Sequence, residues 1–451
     1  MLFINSIHKL AREGKGMKRI ATSFWAISLT GNVAQAAGFA LVEQNASGLG
    51  NAYAGQAATA ADASTLYFNP AGMTHLDGRQ MVLAGNAIRP SAEFSNRGSG
   101  NAPLQSSLGG DGGDAGAWAL VPNFYYVTEL RPGVKVGLGV NAPFGLATVY
   151  DTDWVGRFHA VKSDMKTLNV NPSLAFKVSD RFSVGVGFNM QRIQAVLTNK
   201  VNYSAVFAQA SGGALIAPDI EGTAKVEGDD WSWGFNLGML FSPDEATRLG
   251  IHYRSPVDFT LEGNASFRRP AGLSATQQGI LNAAVPNGNV TAQVQLPDTW
   301  SLSLFRQLSP SWDVLADLTW THWSLFQDLT VVRTSGAVLS TTPERWDDSW
   351  RYSLGLNFRP GGHILWRAGI AYDETPVSDN YRTPRIPDQS RTWLALGARI
   401  RMSEQASIDI GYAHVFVADA NIHHASASGG ALAGNYDNAV DIVGVQYTHP
   451  F

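Results

Sequence analysis

Cysteine is absent from this 451-residue chain, which removes disulfide scaffolds and thiolate metal sites from consideration. Charge is scarce: 16% of residues are Asp, Glu, Lys or Arg, against about 25% in an ordinary globular protein. Basic residues are not in excess. The net charge is −4 and the isoelectric point is near 6.2, so there is no footprint for nucleic acid. After residue 36 no apolar run reaches the roughly 18 residues that a membrane helix needs. Yet hydrophobic residues make up 45% of the chain, and mean hydropathy is −0.08. The chain has lost charge without becoming hydrophobic overall. Disorder is disfavoured as well, because 13 Trp and 21 Phe accompany the low charge. Length alone would suit two or three soluble domains, which the rest of the sequence contradicts.

Residues 17–36 read MKRIATSFWAISLTGNVAQA. Lys18 and Arg19 form a basic start, Ile20 to Val33 a short apolar core, and Ala34-Gln35-Ala36 a small-x-small cleavage site. Residues 1–36 are therefore expected to be a signal peptide, with the mature chain starting at Ala37. Residues 1–16 read as an extension from an upstream start codon or as an unusually long basic region. The leader carries a net +4, so the mature chain carries −8. Export without a helical span leaves a periplasmic protein, a secreted protein, or an outer-membrane barrel. Barrel strands alternate apolar-out and polar-in, which averages their hydropathy to nearly zero.

That alternation is present and recurrent. Val134, Val136, Leu138 and Val140 alternate with Lys135, Gly137, Gly139 and Asn141. Trp231, Trp233, Phe235, Leu237 and Met239 alternate with Ser232, Gly234, Asn236 and Gly238. The small face is too small to fill a soluble core. Many runs reach ten residues or more, longer than globular strands favour. Tight turns such as Arg131-Pro132-Gly133, Ser242-Pro243-Asp244-Glu245 and Met402-Ser403-Glu404-Gln405 join pairs of runs, and longer connections separate the pairs. Fourteen runs fall between residues 79 and 449, an even number, as a closed antiparallel barrel requires. The chain ends on Phe451, after Val443, Val445 and Tyr447 in the same period. A terminal aromatic of this kind is a signal for the barrel assembly machinery. The fold class is all-β: a 14-stranded antiparallel transmembrane barrel over residues 79–451, with residues 37–78 as a small-residue N-terminal plug.

The mature N-terminus AGFALVEQNASGLGNAYAG, the triplet Asn69-Pro70-Ala71, NAPFGL (141–146), WVGRF (154–158), LPDTW (296–300) and IPDQSRTW (386–393) together resemble the FadL family of long-chain fatty acid transporters of the Gram-negative outer membrane. The resemblance implies a barrel plugged by an N-terminal hatch, with Asn69, Pro70 and Ala71 as its gating motif. It implies capture of a hydrophobic ligand in an apolar groove between two extracellular loops. Phe207, Leu215 and Ile216 on one loop and Leu273, Ile280 and Leu281 on another fit that role, or pack on each other as a lid. A fatty acid also needs a cation, and arginine holds a carboxylate through paired donors. Arg391, then Arg157 and Arg382, are the candidates; pairing of Arg391 with Asp388 is the structural alternative. Pro143, with Phe144 and Gly145, falls late in the third run. Proline lacks a ladder donor, so a break or kink is expected there, unless Pro143 lies in the loop beyond. In the family such a kink opens a lateral exit into the membrane, beneath the lipopolysaccharide layer.

No catalytic constellation stands out. His159, His322, His414, His423 and His424 are scattered, with no nucleophile motif, so neither an enzyme nor a metal or cofactor is expected. Two rivals to fatty acid uptake remain open: a channel for aromatic or other hydrocarbons, and a surface receptor or adhesin.

Overall fold

Alternating runs of this length can satisfy every backbone donor and acceptor only by pairing with neighbours around a closed ring. The computed structural model describes residues 38–403 and 406–451. The signal peptide, the expected first mature residue Ala37, and Glu404-Gln405 of one turn lie outside the described residues. Among those described, all strands belong to one sheet and every ladder is antiparallel. The segments are β1 (Gln80–Asn96), β2 (Ala119–Arg131), β3 (Val134–Asn141), β4 (Gly145–Val149), β5 (Lys162–Lys177), β6 (Phe182–Asn202) and β7 (Glu221–Asp244). They continue as β8 (Thr247–Arg254), β9 (Val257–Arg268), β10 (Gly288–Leu296), β11 (Thr299–Ser309), β12 (Trp312–Thr321), β13 (Asp328–Arg333) and β14 (Val338–Pro343). The last are β15 (Ser349–Phe358), β16 (Ile364–Asp373), β17 (Arg391–Ser403), β18 (Ala406–Val417), β19 (Ala420–Ser426) and β20 (Gly430–Pro450). β1 closes on β20 in unbroken register from Gln80↔Pro450 to Asn96↔Gly434.

Six pairs of consecutive segments are parts of one traverse, so the ring has the expected fourteen traverses. Three of the interruptions coincide with prolines that cannot donate to a ladder: Pro143 between β3 and β4, Pro256 between β8 and β9, and Pro297 between β10 and β11. A short helical turn at Trp323–Leu325 interrupts a fourth.

The outer face carries the large apolar side chains. Trp233 is 65% exposed, Leu396 64% and Leu354 57%. In water such a band would drive aggregation; a bilayer is the solvent that matches it. Aromatic pairs edge the band, with Tyr253 and Trp300 at 4.6 Å towards one rim and Trp312 and Phe358 at 4.5 Å towards the other. The tight hairpins Arg131↔Val134, Asp244↔Thr247 and Ser309↔Trp312 sit at the second rim, together with the start of β1 and the end of β20. The long connections leave from the first.

The small inward residues have a use that alternation alone does not reveal. Residues 38–79 form short helical turns enclosed by the ring, and the wall glycines are where this hatch touches it. A Cβ added to Gly369 of β16 would collide with the backbone of Asn51, and one on Gly250 of β8 with the backbone of Ala57. Gly397 of β17 lies with its added Cβ 2.8 Å from Cα of Gly50. Pro70 meets Gly185 through its backbone in the same way, while the side chains of Leu66 and Leu49 lie against Gly137 and Gly411. Wall glycine thus lets hatch backbone approach wall backbone directly.

Candidate functional site

The hatch is fastened by its Asn69-Pro70-Ala71 triplet. Asn69 precedes a 3₁₀ turn that starts with Pro70, where the missing N–H costs nothing. Its Oδ1 accepts from Ala71 N at 3.0 Å. Its Nδ2 donates to Ala57 O at 2.6 Å and to Met239 O of β7 at 2.9 Å. One buried amide therefore caps a turn, ties two hatch segments together and pins both to the wall.

Pro143 lies in a true break, not in a terminal loop. β3 and β4 both pair with β5, but only β3 pairs with β2 on its other side. The start of the hatch fills part of the vacated edge. Leu41 N donates to Pro143 O at 2.8 Å, Gly145 N donates to Phe39 O at 2.9 Å, and Ala40 bridges Phe144. Phe144 N is held by Thr167 Oγ1 at 2.9 Å.

Above this break, towards the long-loop rim, lies an apolar chamber that is partly open to solvent. Leu146, Met165, Ile193, Leu261, Val294 and Val331 give it an apolar wall from six strand segments. Its charged lining residues are Glu227, Glu344 and Arg385. Phe39 and Phe326 form part of its floor. Phe39 stands 4.7 Å from Trp323, 5.5 Å from Trp346 and 6.0 Å from Phe144 by ring centroids. Beyond these rings is a second chamber, lined by hatch residues on one side and by His252, Arg254, Asp317 and Arg351 on the other.

Arg385 is the cation that faces the apolar chamber. Its Nη1 donates to Lys162 O and Ser163 Oγ at 3.2 Å and to Thr198 O at 3.5 Å; Nη2 reaches Asn199 Oδ1 at 3.5 Å. These acceptors are neutral and the bonds long. No ion pair engages Arg385 among the described residues. Burial lowers its guanidinium to about 10, with Glu344 and Tyr150 opposing the fall, so it remains a cation at neutral pH. Glu344, 2% exposed, accepts from Trp346 Nε1 at 3.2 Å. Burial raises its carboxyl to about 8, against the Trp346 bond and the charge of Arg385.

The arginines expected from sequence are engaged elsewhere. Arg391 pairs with Asp388, the structural alternative. Arg157 holds Glu221 through Nε at 3.0 Å and Nη2 at 2.7 Å, and donates to Leu108 O and Ser107 O. Arg382 pairs with Asp379 at 2.7 Å and donates to Asp388 O at 2.9 Å. None of the three lines the apolar chamber. Arg385 escaped sequence reading although it immediately precedes Ile386-Pro387-Asp388. Nothing local distinguishes it from Arg382.

The loop residues do come together. Helices α1 (Tyr203–Ala210) and α2 (Ala275–Ala284) place Phe207 and Leu281 in one buried cluster, with Leu215, Leu273 and Ile280 packed against it. Ile216 instead is 57% exposed. Among the described residues there is no group of three or more His, Asp or Glu placed to hold a metal ion.

The comparisons with known proteins bear on this arrangement. The family profile described as "Outer membrane protein transport protein (OMPP1/FadL/TodX)" matches residues 27–451. The chain is 31% identical over 409 residues to the long-chain fatty acid transport protein of Escherichia coli K12, covering 86% of this chain and 90% of that protein. It is 32% identical over 409 residues to the 47 kDa outer membrane protein of Pasteurella multocida, covering 90% and 93%. The crystal structure of a Pseudomonas aeruginosa FadL homologue superimposes with a TM-score of 0.85 at 28% identity, covering 92% of this chain and all of that one. The toluene transporter TodX of Pseudomonas putida superimposes at 0.65 with 17% identity, covering 86% and 94%, a likeness of fold alone.

Proposed function

The chain belongs to the outer-membrane transport protein family (OMPP1/FadL/TodX), whose members are β-barrel transporters and not enzymes, and from that premise we propose that it is a passive uptake channel for long-chain fatty acids. The observation that carries this reading is Arg385. A cation without a carboxylate partner, at the edge of an apolar chamber, is an uncompensated cost unless an anion with an apolar tail completes it. The tail would gain about 0.8 kcal/mol for each methylene buried. The carboxylate would gain about 1.5–3 kcal/mol for each charge-assisted hydrogen bond.

The route runs from the α1–α2 cluster into the chamber, past the Phe39–Phe144–Trp323 rings, and sideways through the wall at the β3–β4 break. The segment Phe39–Leu41 is its shutter, because it occupies the edge that β2 leaves unpaired. Asn69, Pro70 and Ala71 hold the rest of the hatch while that segment moves. Phe451, 62% exposed at the short-turn rim, would serve as a terminal signal to the assembly machinery, and lipopolysaccharide would surround the opposite rim.

The test is Arg385→Gln. Laurate binding to the purified barrel should weaken about 10- to 100-fold, the loss of one or two charge-assisted hydrogen bonds. Binding of dodecanol, which lacks the carboxylate, should be unchanged. Equal losses for both ligands would show that Arg385 shapes the chamber without anchoring an anion. Loss of neither, with toluene binding retained, would favour the hydrocarbon channel.

A further inference from the structure

Two ionisable groups of opposite sign line the apolar chamber without touching. Arg385 has only neutral acceptors, and Glu344 has the Trp346 indole. No salt bridge joins them among the described residues, although both side chains face the same cavity. The chamber therefore carries a cation that needs an anion and, beside it, an acid that would repel one.

Building on the proposed fatty acid channel, we propose that Glu344 couples capture to protonation: a carboxylate ligand is held at Arg385 only while Glu344 is protonated, so any ionised Glu344 takes a proton from solvent on capture. The balance is simple. Ionised Glu344, a proton from water and a ligand carboxylate become neutral Glu344 and a carboxylate bound at Arg385. No other bond changes.

Three observations support this. Glu344 is the almost fully buried member of the chamber's charged set, so a second negative charge beside it would be poorly screened. Its carboxyl, held up near 8 by burial, lies where a modest further rise keeps it neutral. The neighbouring charges do not replace it. Glu227 pairs with Lys225 at 2.7 Å, and both side chains are about half exposed. Arg345, next in the chain, stacks over Tyr381 at 5.1 Å. Tyr150 donates to Pro384 O at 2.7 Å and is neutral. A neutral Glu344 also leaves Arg385 uncompensated until the ligand arrives, so the same residue sets selectivity for an anion over an uncharged hydrocarbon.

The experiment is titration calorimetry of the full barrel with laurate, in buffers of different ionisation enthalpy, which counts protons taken up per ligand. With an empty-chamber value near 8, uptake should rise from about 0.1 proton near pH 7 to about 0.9 near pH 9, and affinity should fall roughly tenfold over that interval. Glu344→Gln keeps an acceptor for Trp346 and should bind laurate with no proton uptake and a flat pH profile. Dodecanol on the unaltered protein should also give no uptake, which tests the proposal even if the variant fails to fold. Equal uptake in the variant and the parent, or uptake with dodecanol, would overturn the coupling and leave fatty acid capture standing. Absence of laurate binding at either pH would overturn both.

Discussion

Asn69→Asp is the sharpest single perturbation of the hatch, because it changes one atom and no shape. In the native state Asn69 Nδ2 faces two carbonyl oxygens, those of Ala57 at 2.6 Å and Met239 at 2.9 Å. A carboxylate oxygen there would face both lone-pair to lone-pair. The side chain must then ionise against repulsion or take up a proton and satisfy one carbonyl only. Asn69→Ala removes these two bonds and the cap on Ala71 N, three bonds at about 1 kcal/mol net each, or about 3 kcal/mol in all. Asn69→Asp retains the cap but adds a buried mismatch of about 1–3 kcal/mol to the two lost bonds, so it should equal or exceed the alanine change. A loss of 3 kcal/mol raises the open population of the hatch roughly 100-fold. Hydrogen exchange at amides of residues 56–75 reads this, while the heat-dependent gel shift of the barrel reports assembly and should not change. Fatty acid uptake should fall in both variants. Native exchange rates in Asn69→Asp would refute this role of the amide, since a carboxyl carries at most one proton where Nδ2 uses two.

Two further outcomes follow from the same geometry. Gly369→Ala places a Cβ into the backbone of Asn51, which cannot rotate away. It should cost about 1–3 kcal/mol of hatch seating, visible as faster proteolysis of residues 45–60, whereas Gly361→Ala at an open turn with positive φ should leave the hatch unchanged. His159 is held down to about 3, chiefly by burial and then by the charge of nearby His424, with ring centroids 4.8 Å apart. Its folded value is below the ordinary 6.5, so the loop docking it supports is fully present above about pH 6.5. That docking should be lost progressively, by up to a few kcal/mol, as pH falls towards 3. Exchange at Gly156–Ala160 measured against pH checks this, and His159→Gln should abolish the dependence.

Much of this architecture was legible in the chain itself. Period-two alternation and turn placement gave fourteen runs, each overlapping one observed traverse, because each depends on residues close in sequence. The Pro143 break was legible for the same reason. The interruptions at Pro256 and Pro297 carried the same signal and escaped notice inside longer runs. The loop clusters were visible as apolar residues in polar connections, but only the fold buried Phe207 and Leu281 together and left Ile216 exposed.

The proposed carboxylate anchor was not legible. Arg382, Arg385 and Arg391 lie within ten residues of one another, and their sequence contexts do not rank them. Asp379 lies three residues before Arg382, and Asp388 three residues before Arg391. Asp388 also lies three residues after Arg385, so spacing offers each arginine an acid, yet Arg385 reaches residues 162, 163, 198 and 199 instead. Those contacts exist only once the ring has closed and the stagger of its strands has set which residues share a level.

The sequence by itself determined an exported, cysteine-free barrel: how many strands, which face meets lipid, where the wall breaks, and that a small-residue segment precedes it. Each of these follows from local periodicity and local backbone chemistry. Tertiary structure alone decided what the lumen holds. It set hatch backbone against wall glycine, seated Phe39 among Trp323, Trp346 and Phe144, and left Arg385 and Glu344 facing one apolar chamber. Most of those partners lie a hundred or more residues apart, and even Arg385 and Glu344 belong to different connections of the ring, so only its closure brings them within reach.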